Sequence, residues 1–111
     1  MSKDEIIRKV LLTQHIPVKE VRTVDIREIT MGPGQKAPYH RHPCPVLGLI
    51  KSGEALAQVE GESERVLHAG EAFYEPQGAP IVHFDNASAK NPMTFVAFYL
   101  LDQESQLIEM L

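Results

Sequence analysis

The chain has 111 residues, 43% of them hydrophobic and 23% charged, and a formal net charge of −4. This length suffices for one hydrophobic core, so we expect a single domain over residues 1–111. The acidic balance argues against a nucleic-acid partner, and no apolar run reaches the roughly 18 residues of a membrane span.

The first predicted element, within residues 4–14, has two readings. Its apolar residues have the spacing of a short helix, whereas residues 10–13 taken alone predict an edge strand. Pro17 ends either element. An apolar edge strand can pair with a second chain, so this segment is our candidate for a homodimer contact, by edge-to-edge or exchanged pairing.

From residue 19 onward the chain consists of short β-rich runs separated by turns that contain Gly, Pro or Asn. The predicted strands are 19–31, 46–51, 54–59, 64–67, 72–74, 81–84 and 93–101. Such regular spacing is typical of a β-sandwich or β-barrel. In residues 102–111 three apolar side chains lie at i, i+1 and i+4, which predicts a short terminal helix.

Two histidines give the clearest chemical signal. His40 and His42 lie two residues apart, just after a Gly-Pro-Gly turn. Residues i and i+2 of a strand point to the same face, so the two imidazoles converge and supply half of a metal site. The alternative is a pair of pocket histidines hydrogen bonded to loop carbonyls.

The sequence around these histidines resembles the cupin superfamily. The first cupin motif, G-x5-H-x-H-x3,4-E-x6-G, aligns with Gly34, His40, His42 and Gly53, but Val46 stands where the motif has Glu. The second motif, G-x5-P-x-G-x2-H-x3-N, begins with Gly70, Pro76 and Gly78. Ile81 then stands at the histidine position and His83 follows two residues later. The resemblance covers residues 34–86, about half of the chain.

The resemblance implies an all-β fold, the double-stranded β-helix or jelly-roll barrel of the cupins, with both motifs lining its interior. It also implies one divalent metal, Zn, Fe, Ni or Mn, held here by His40, His42 and His83. His83 reaches the motif position if a bulge at residues 79–80 shifts the strand. Otherwise Ile81 replaces the ligand, His83 lies at the surface, and no metal is held firmly.

Other residues beside the motifs are candidates for the pocket lining: Tyr39, Cys44, Val46, Tyr74 and Ile81. Either Tyr74 or Glu75 is a candidate general acid or base, because alternation along a strand turns only one of them inward. Cys44 lies between two prolines and is either a soft metal ligand or an inert small residue. A single cysteine forms no internal disulfide, and the charged N-terminus predicts no secretory signal, so we expect a cytoplasmic protein.

Two functions stay open from the sequence, and neither assigns a catalytic residue. The first is a mononuclear metal-dependent enzyme, of oxygenase or isomerase type, acting on a small molecule. The second is a metal-poor, non-catalytic small-molecule binding or sensory module. In that module Val46 and Ile81 stand at two metal-ligand positions of the motifs and line an apolar pocket instead. The fold does not distinguish between these two functions, whereas a measurement of the metal content of the protein does.

Overall fold

The computed structural model describes residues 5–111, which form two antiparallel sheets packed face to face. Its strands are β1 (Thr23–Met31), β2 (His40–Arg41), β3 (Val46–Ser52), β4 (Glu54–Val59), β5 (Arg65–His68), β6 (Ala72–Glu75), β7 (Ile81–Asn86), β8 (Met93–Leu101) and β9 (Glu109–Met110). The first sheet has the strand order β1-β8-β3-β6 and the second β5-β4-β7-β2-β9. The all-β prediction is confirmed. Within residues 5–111 no helix has the length and apolarity needed to cross a membrane.

The core lies between the two sheets. Strand β8 shows how it forms, because its residues are alternately buried and half-buried along the whole strand. The inward rings of Phe73, Phe84 and Phe95 pack together, with centroids 4.7 to 6.1 Å apart. Burying a side chain of this size contributes about 1.5–3 kcal/mol, so this aromatic cluster is a main source of cohesion between the sheets.

Two motif glycines have backbone conformations that explain their presence. Gly53, in the β3–β4 turn, has φ +81°, and a Cβ there would lie 2.8 Å from the Pro92 carbonyl oxygen. Gly78 has φ +78° in the turn after β6, and its amide donates to the His42 carbonyl oxygen at 2.9 Å. The second turn therefore fixes the backbone of a candidate site residue.

Asn86, at the end of β7, connects the β1–β2 loop and the β7–β8 loop by side-chain hydrogen bonds. Its Nδ2 donates to the carbonyl oxygens of Gly32 at 2.9 Å and Asn91 at 2.7 Å. Its Oδ1 accepts from the Ser88 amide at 2.9 Å. This side chain, which lies close to the motif position for Asn, therefore has a structural role.

Two predicted terminal elements differ from the structure. Residue 4 lies outside the described residues, and residues 5–14 form neither helix nor strand. A helix this short is marginal without a packing partner for its apolar face, and most of these apolar side chains are exposed. The predicted C-terminal helix is also wrong. Residues 109 and 110 instead pair with β2, because that two-residue strand offers backbone groups that β9 satisfies.

Candidate functional site

The two motif histidines lie side by side inside the barrel. His40 and His42 are each 4% exposed, and their ring centroids are 4.9 Å apart. The Nδ1 of His40 lies 2.6 Å from the Pro38 carbonyl oxygen, and the Nδ1 of His42 lies 2.8 Å from that of Leu107. A carbonyl oxygen only accepts, so each Nδ1 carries the proton. Each Nε2 of a neutral ring is thereby left with its lone pair.

A carboxylate completes this cluster from a neighbouring strand. Glu75 ends β6 directly opposite Val46 of β3, so both side chains point to the same face. Glu75 is 7% exposed, and its Oε1 lies 3.0 Å from the Nε2 of His42. The acid that the first motif lacks at position 46 is therefore present one strand away.

The contact between His42 and Glu75 requires a positive centre. The Nδ1–H of His42 donates to the Leu107 carbonyl oxygen. If the ring is neutral, its Nε2 lone pair then points at the carboxylate lone pairs of Glu75. Such a contact is repulsive unless a proton or a cation lies between the two atoms. Two ligands about 2.1 Å from one ion, at a right angle, are about 3 Å apart, which matches this pair.

The donor set fits a divalent metal. One ligand atom from each of His40, His42 and Glu75 lies within 4.8 Å of the other two. Two imidazoles and one carboxylate, with further positions open, are the ligand set typical of non-haem Fe(II) oxygenases. The backbone bonds to each Nδ1 fix the rings as outer-shell partners do in metal sites.

The pKa of His42 gives a prediction for the metal-free protein. Burial, the largest effect, disfavours the imidazolium, but the hydrogen bond and charge of Glu75, with a smaller effect from Leu107, raise the pKa above its usual 6.5. A raised folded pKa stabilises the protein fully below 6.5, and this stability is lost as the pH rises through the folded value. We expect an NMR titration of the His42 ring to have its midpoint above 6.5, and a Glu75→Gln variant below it. A wild-type midpoint at or below 6.5 would contradict this.

The cluster opens onto an apolar cavity of about 200 Å³. The cavity is larger than the roughly 150 Å³ that accommodates benzene, so it suits a small molecule. His40, His42 and Glu75 are among its lining residues. Its other lining residues are Ile29, Met31, Ala37, Val46, Phe73, Phe84, Phe95, Ala97, Tyr99 and Ile108.

Tyr99 is the polar group in the wall that sequence reasoning missed. It lies on β8 opposite Val46, and its ring packs edge-on against His42 with centroids 5.9 Å apart. Within residues 5–111 its hydroxyl has no hydrogen-bond partner. Burial, followed by the charge of Glu75, raises its pKa above 10, so Tyr99 keeps its proton at neutral pH. Only the β3–β8 register reveals this position, and the sequence does not show that register.

The structure does not bring His83 together with His40 and His42. Gln58 of β4 pairs with His83 and the next residue, Val59, pairs with Ile81, so Val82 is an extra residue on β7. This bulge lies between Ile81 and His83, and not at residues 79–80, where the motif alignment would require it. It reverses the alternation, and His83 turns outward, with its Nδ1 2.8 Å from Asp85 Oδ2.

Among the predicted pocket residues, the structure places Val46 in the cavity wall and the other four elsewhere. Tyr39 is exposed and donates to Glu60 at 2.8 Å. Tyr74 lies on the outer face of its sheet, which resolves the choice between it and Glu75. Cys44 is fully buried in the core, and burial raises its thiol pKa to about 11, so it is not a thiolate. Ile81 is 1% exposed opposite His40 and belongs to the core.

Solved structures with the same fold include several enzymes. A DMSP lyase from Ruegeria pomeroyi is 25% identical over 78% of this chain and 42% of its own, with a TM-score of 0.68. An oxalate oxidase in complex with glycolate is 25% identical over 79% of this chain and 46% of its own, with a TM-score of 0.65. A cupin-like protein from Thermotoga maritima, 18% identical over 79% of this chain and 64% of its own, has a TM-score of 0.67.

The chain spans less than half the length of both enzymes. Among curated proteins, none matches this chain in sequence. The family model of the cupin domain matches residues 27–99, a stretch that includes the two histidines, Glu75 and Tyr99. The resemblance seen in the motifs is thereby confirmed, and the chain belongs to the cupin family.

Proposed function

We propose that this protein is a mononuclear metal-dependent enzyme that acts on a small molecule, with His40, His42 and Glu75 as the metal ligands. The observation that carries the proposal is the buried carboxylate of Glu75, 3.0 Å from the Nε2 of His42. Both atoms are in the barrel interior, where an unpaired carboxylate is costly. A divalent cation between them satisfies both groups.

The donor set supports the proposal of a first-row divalent metal. Fe, Mn, Ni and Zn all accept imidazole nitrogen together with carboxylate oxygen, and the two-histidine, one-carboxylate set with open positions favours Fe(II). When bound, such a metal supplies Lewis-acid polarisation of a substrate oxygen or, as iron, activation of dioxygen.

The remaining residues position the substrate. The aromatic and aliphatic wall of the cavity lowers the local dielectric around the ligand cluster, which strengthens polar contacts made there. The Tyr99 hydroxyl, protonated and without a protein partner among the described residues, donates a hydrogen bond to a substrate oxygen. DMSP and oxalate, after which the similar lyase and oxidase are named, and glycolate, the substrate analogue bound to that oxidase, form the first panel of compounds to test.

A metal-poor binding or sensory module is the second candidate. It is favoured by the direct hydrogen bond between His42 and Glu75, which a shared proton satisfies without an ion, and by the largely apolar wall. In that case the cavity would hold an apolar ligand without turning it over.

Metal content distinguishes these functions. Tag-free protein, purified without chelator and incubated separately with Fe(II), Mn(II), Ni(II) and Zn(II), is analysed by elemental mass spectrometry after desalting. We expect near one metal per chain in the wild type, at least a tenfold loss in His40→Ala and His42→Ala, and retention in the control His83→Ala, whose ring points outward. No metal in the wild type would overturn the proposal, and retention in His42→Ala would refute the ligand set.

Two expectations from the sequence remain predictions beside this function. A single domain over residues 1–111 agrees with the hydrophobic core that strands within residues 5–111 form. A cytoplasmic location agrees with a buried cysteine that has no disulfide partner.

A further inference from the structure

The polarity of the cavity changes along strand β8. The inward side chains of this strand that line the cavity are Phe95, Ala97 and Tyr99. The Cα atoms of residues 95 and 99 of a strand are about 13 Å apart. The ring of Tyr99 packs against His42, and the Nε2 of His42 lies 3.0 Å from Glu75 Oε1. The polar groups of the cavity therefore gather at the Tyr99 end.

The other end of the cavity is lined by apolar side chains. The ring centroid of Phe95 lies 4.7 Å from that of Phe84 and 6.1 Å from that of Phe73. On β1, Ile29 is the cross-strand partner of Phe95, and Met31 follows on the same face. All five side chains line the cavity. Because aromatic rings pack well against one another in offset or edge-to-face arrangements, this end suits an apolar body such as a single ring.

A bound divalent metal leaves the cavity with one net positive charge. Histidines bind metals in their neutral form, so among the lining residues within 5–111 only Glu75 carries a charge. Two further charged side chains, Asp25 and Arg27, lie on the inward face of β1. They pair with each other, with 2.8 Å between Arg27 Nε and Asp25 Oδ1. One negative charge on a ligand is therefore balanced, whereas a second one meets no unpaired cation in the described part of the cavity wall.

The volume of the cavity sets the size of the ligand. It is about 200 Å³, and an apolar cavity of about 150 Å³ in a protein holds benzene. The space therefore accommodates one ring with a one-carbon head group. A second charged group at the Phe95 end would lose its hydration without gaining a partner, and such burial is costly.

We propose that the substrates of this site are small monoanions with one acidic oxygen group and an uncharged body of about one ring. This inference rests on the metal-dependent function proposed above and narrows its substrate class. The acidic group meets the metal and the Tyr99 hydroxyl, and the body occupies the space beside Ala97 and Phe95. Benzoate is the simplest probe of this class, and dicarboxylates, oxalate included, fall outside it.

The test compares probes that differ by one group. The full-length protein is loaded with Zn(II), its metal content is verified by elemental mass spectrometry, and it is titrated calorimetrically with benzoate, acetate and terephthalate. We expect benzoate to bind at least tenfold more tightly than acetate, which lacks the ring. It should also bind at least tenfold more tightly than terephthalate, which adds a second carboxylate at the far end of the ring. Metal-free protein should bind toluene, which has the ring alone, and should bind benzoate at least tenfold more weakly than the loaded protein does.

A variant that fills the middle of the cavity tests where the ring lies. Ala97→Leu should weaken benzoate binding at least tenfold and leave the affinity for acetate and the Zn(II) content unchanged, because acetate occupies only the metal end. Val96→Leu is the matched control, since the neighbouring residue of the strand points to the opposite face of the sheet. An unchanged affinity of Ala97→Leu for benzoate would refute this placement. If Ala97→Leu does not fold, the wild-type comparison of benzoate with acetate and terephthalate still decides.

The remaining outcomes separate this inference from the proposed function. Near-stoichiometric Zn(II) with equal affinities for benzoate and acetate would overturn the substrate class and leave the metal-dependent function standing. Terephthalate bound as tightly as benzoate would overturn the limit of one charge, and a loss of that binding in Arg27→Gln would identify the guanidinium as the second anion partner. A protein that binds no Zn(II) would overturn both proposals, and toluene binding would then favour the binding module.

Discussion

Replacing Glu75 by Val is expected to abolish metal binding, and moving the acid to the opposite strand is expected to restore it. In Glu75→Val we expect the metal dissociation constant to rise more than 100-fold, because loss of an outer-shell partner alone costs about 10–100-fold. In the double variant Val46→Glu/Glu75→Val the carboxylate returns to the motif position. Residues 46 and 75 are direct cross-strand partners with side chains on one face, so the new carboxylate reaches the same cluster.

Isothermal titration with Mn(II) or Zn(II) under anaerobic conditions measures these constants. Recovery of at least tenfold in affinity from single to double variant is the expected result. The single variant Val46→Glu is the matched control, because it introduces the same carboxylate at position 46 while Glu75 is still present. If Glu75→Val binds metal as the wild type does, Glu75 is not a ligand. If the double variant stays as weak as the single one while its thermal unfolding is cooperative, the two positions are not equivalent.

Gly48→Ala is expected to cause the largest loss of stability for the smallest change in sequence. Gly48 lies on the inward face of β3, between Ala97 and Phe73 in the register of the sheet. A Cβ at this position would lie 2.1 Å from Phe73 Cζ and 2.7 Å from the Val96 carbonyl oxygen. Overpacking typically costs about 1–3 kcal/mol, and we expect the upper end because one of the two obstacles is backbone.

Thermal unfolding gives the measurement. A loss of about 3 kcal/mol lowers the Tm by roughly 12 °C or more in a domain of this size. Gly61→Ala is the control: its φ is +86°, but nothing lies within 4 Å of the added Cβ, so only a backbone cost of about 1–2 kcal/mol applies. In a Phe73→Leu background the Gly48→Ala substitution should cost less, because the ring is gone. Equal Tm losses for Gly48→Ala and Gly61→Ala would contradict this account.

The strands were predictable because local signals and tertiary packing agree. Gly, Pro and Asn turns separate the runs, and the predicted strands 54–59 and 93–101 have the bounds found in the structure. The termini were not predictable in the same way. A segment with apolar residues at helical spacing forms a helix only if it has a surface to pack against. In the C-terminal segment, residues 109 and 110 instead pair with the edge of β2.

The candidate site shows the limit of reading motifs along one chain. His40 and His42 share a strand region, so their convergence follows from alternation alone. The position of Glu75 depends on which residue of β3 it faces, and that of His83 on a bulge at Val82. Register and bulges arise from pairing between strands distant in sequence. The motif alignment therefore shows Val46 at the position of Glu, but it does not show that Glu75 lies directly across the strand pair.

The C-terminal segment carries a consequence for how molecules enter and leave the barrel. Leu107 holds the His42 ring, Ile108 lines the cavity, and Met110 pairs with His40 through a two-residue strand. Short terminal strands open at a small fraction of the free energy of global unfolding. Local fraying of residues 107–111 is therefore expected to widen the entrance of the cavity, while the rest of the barrel stays folded. Each opening also breaks the hydrogen bond between Leu107 and the His42 ring. Faster exchange of small molecules is therefore coupled to a less ordered His42 side chain.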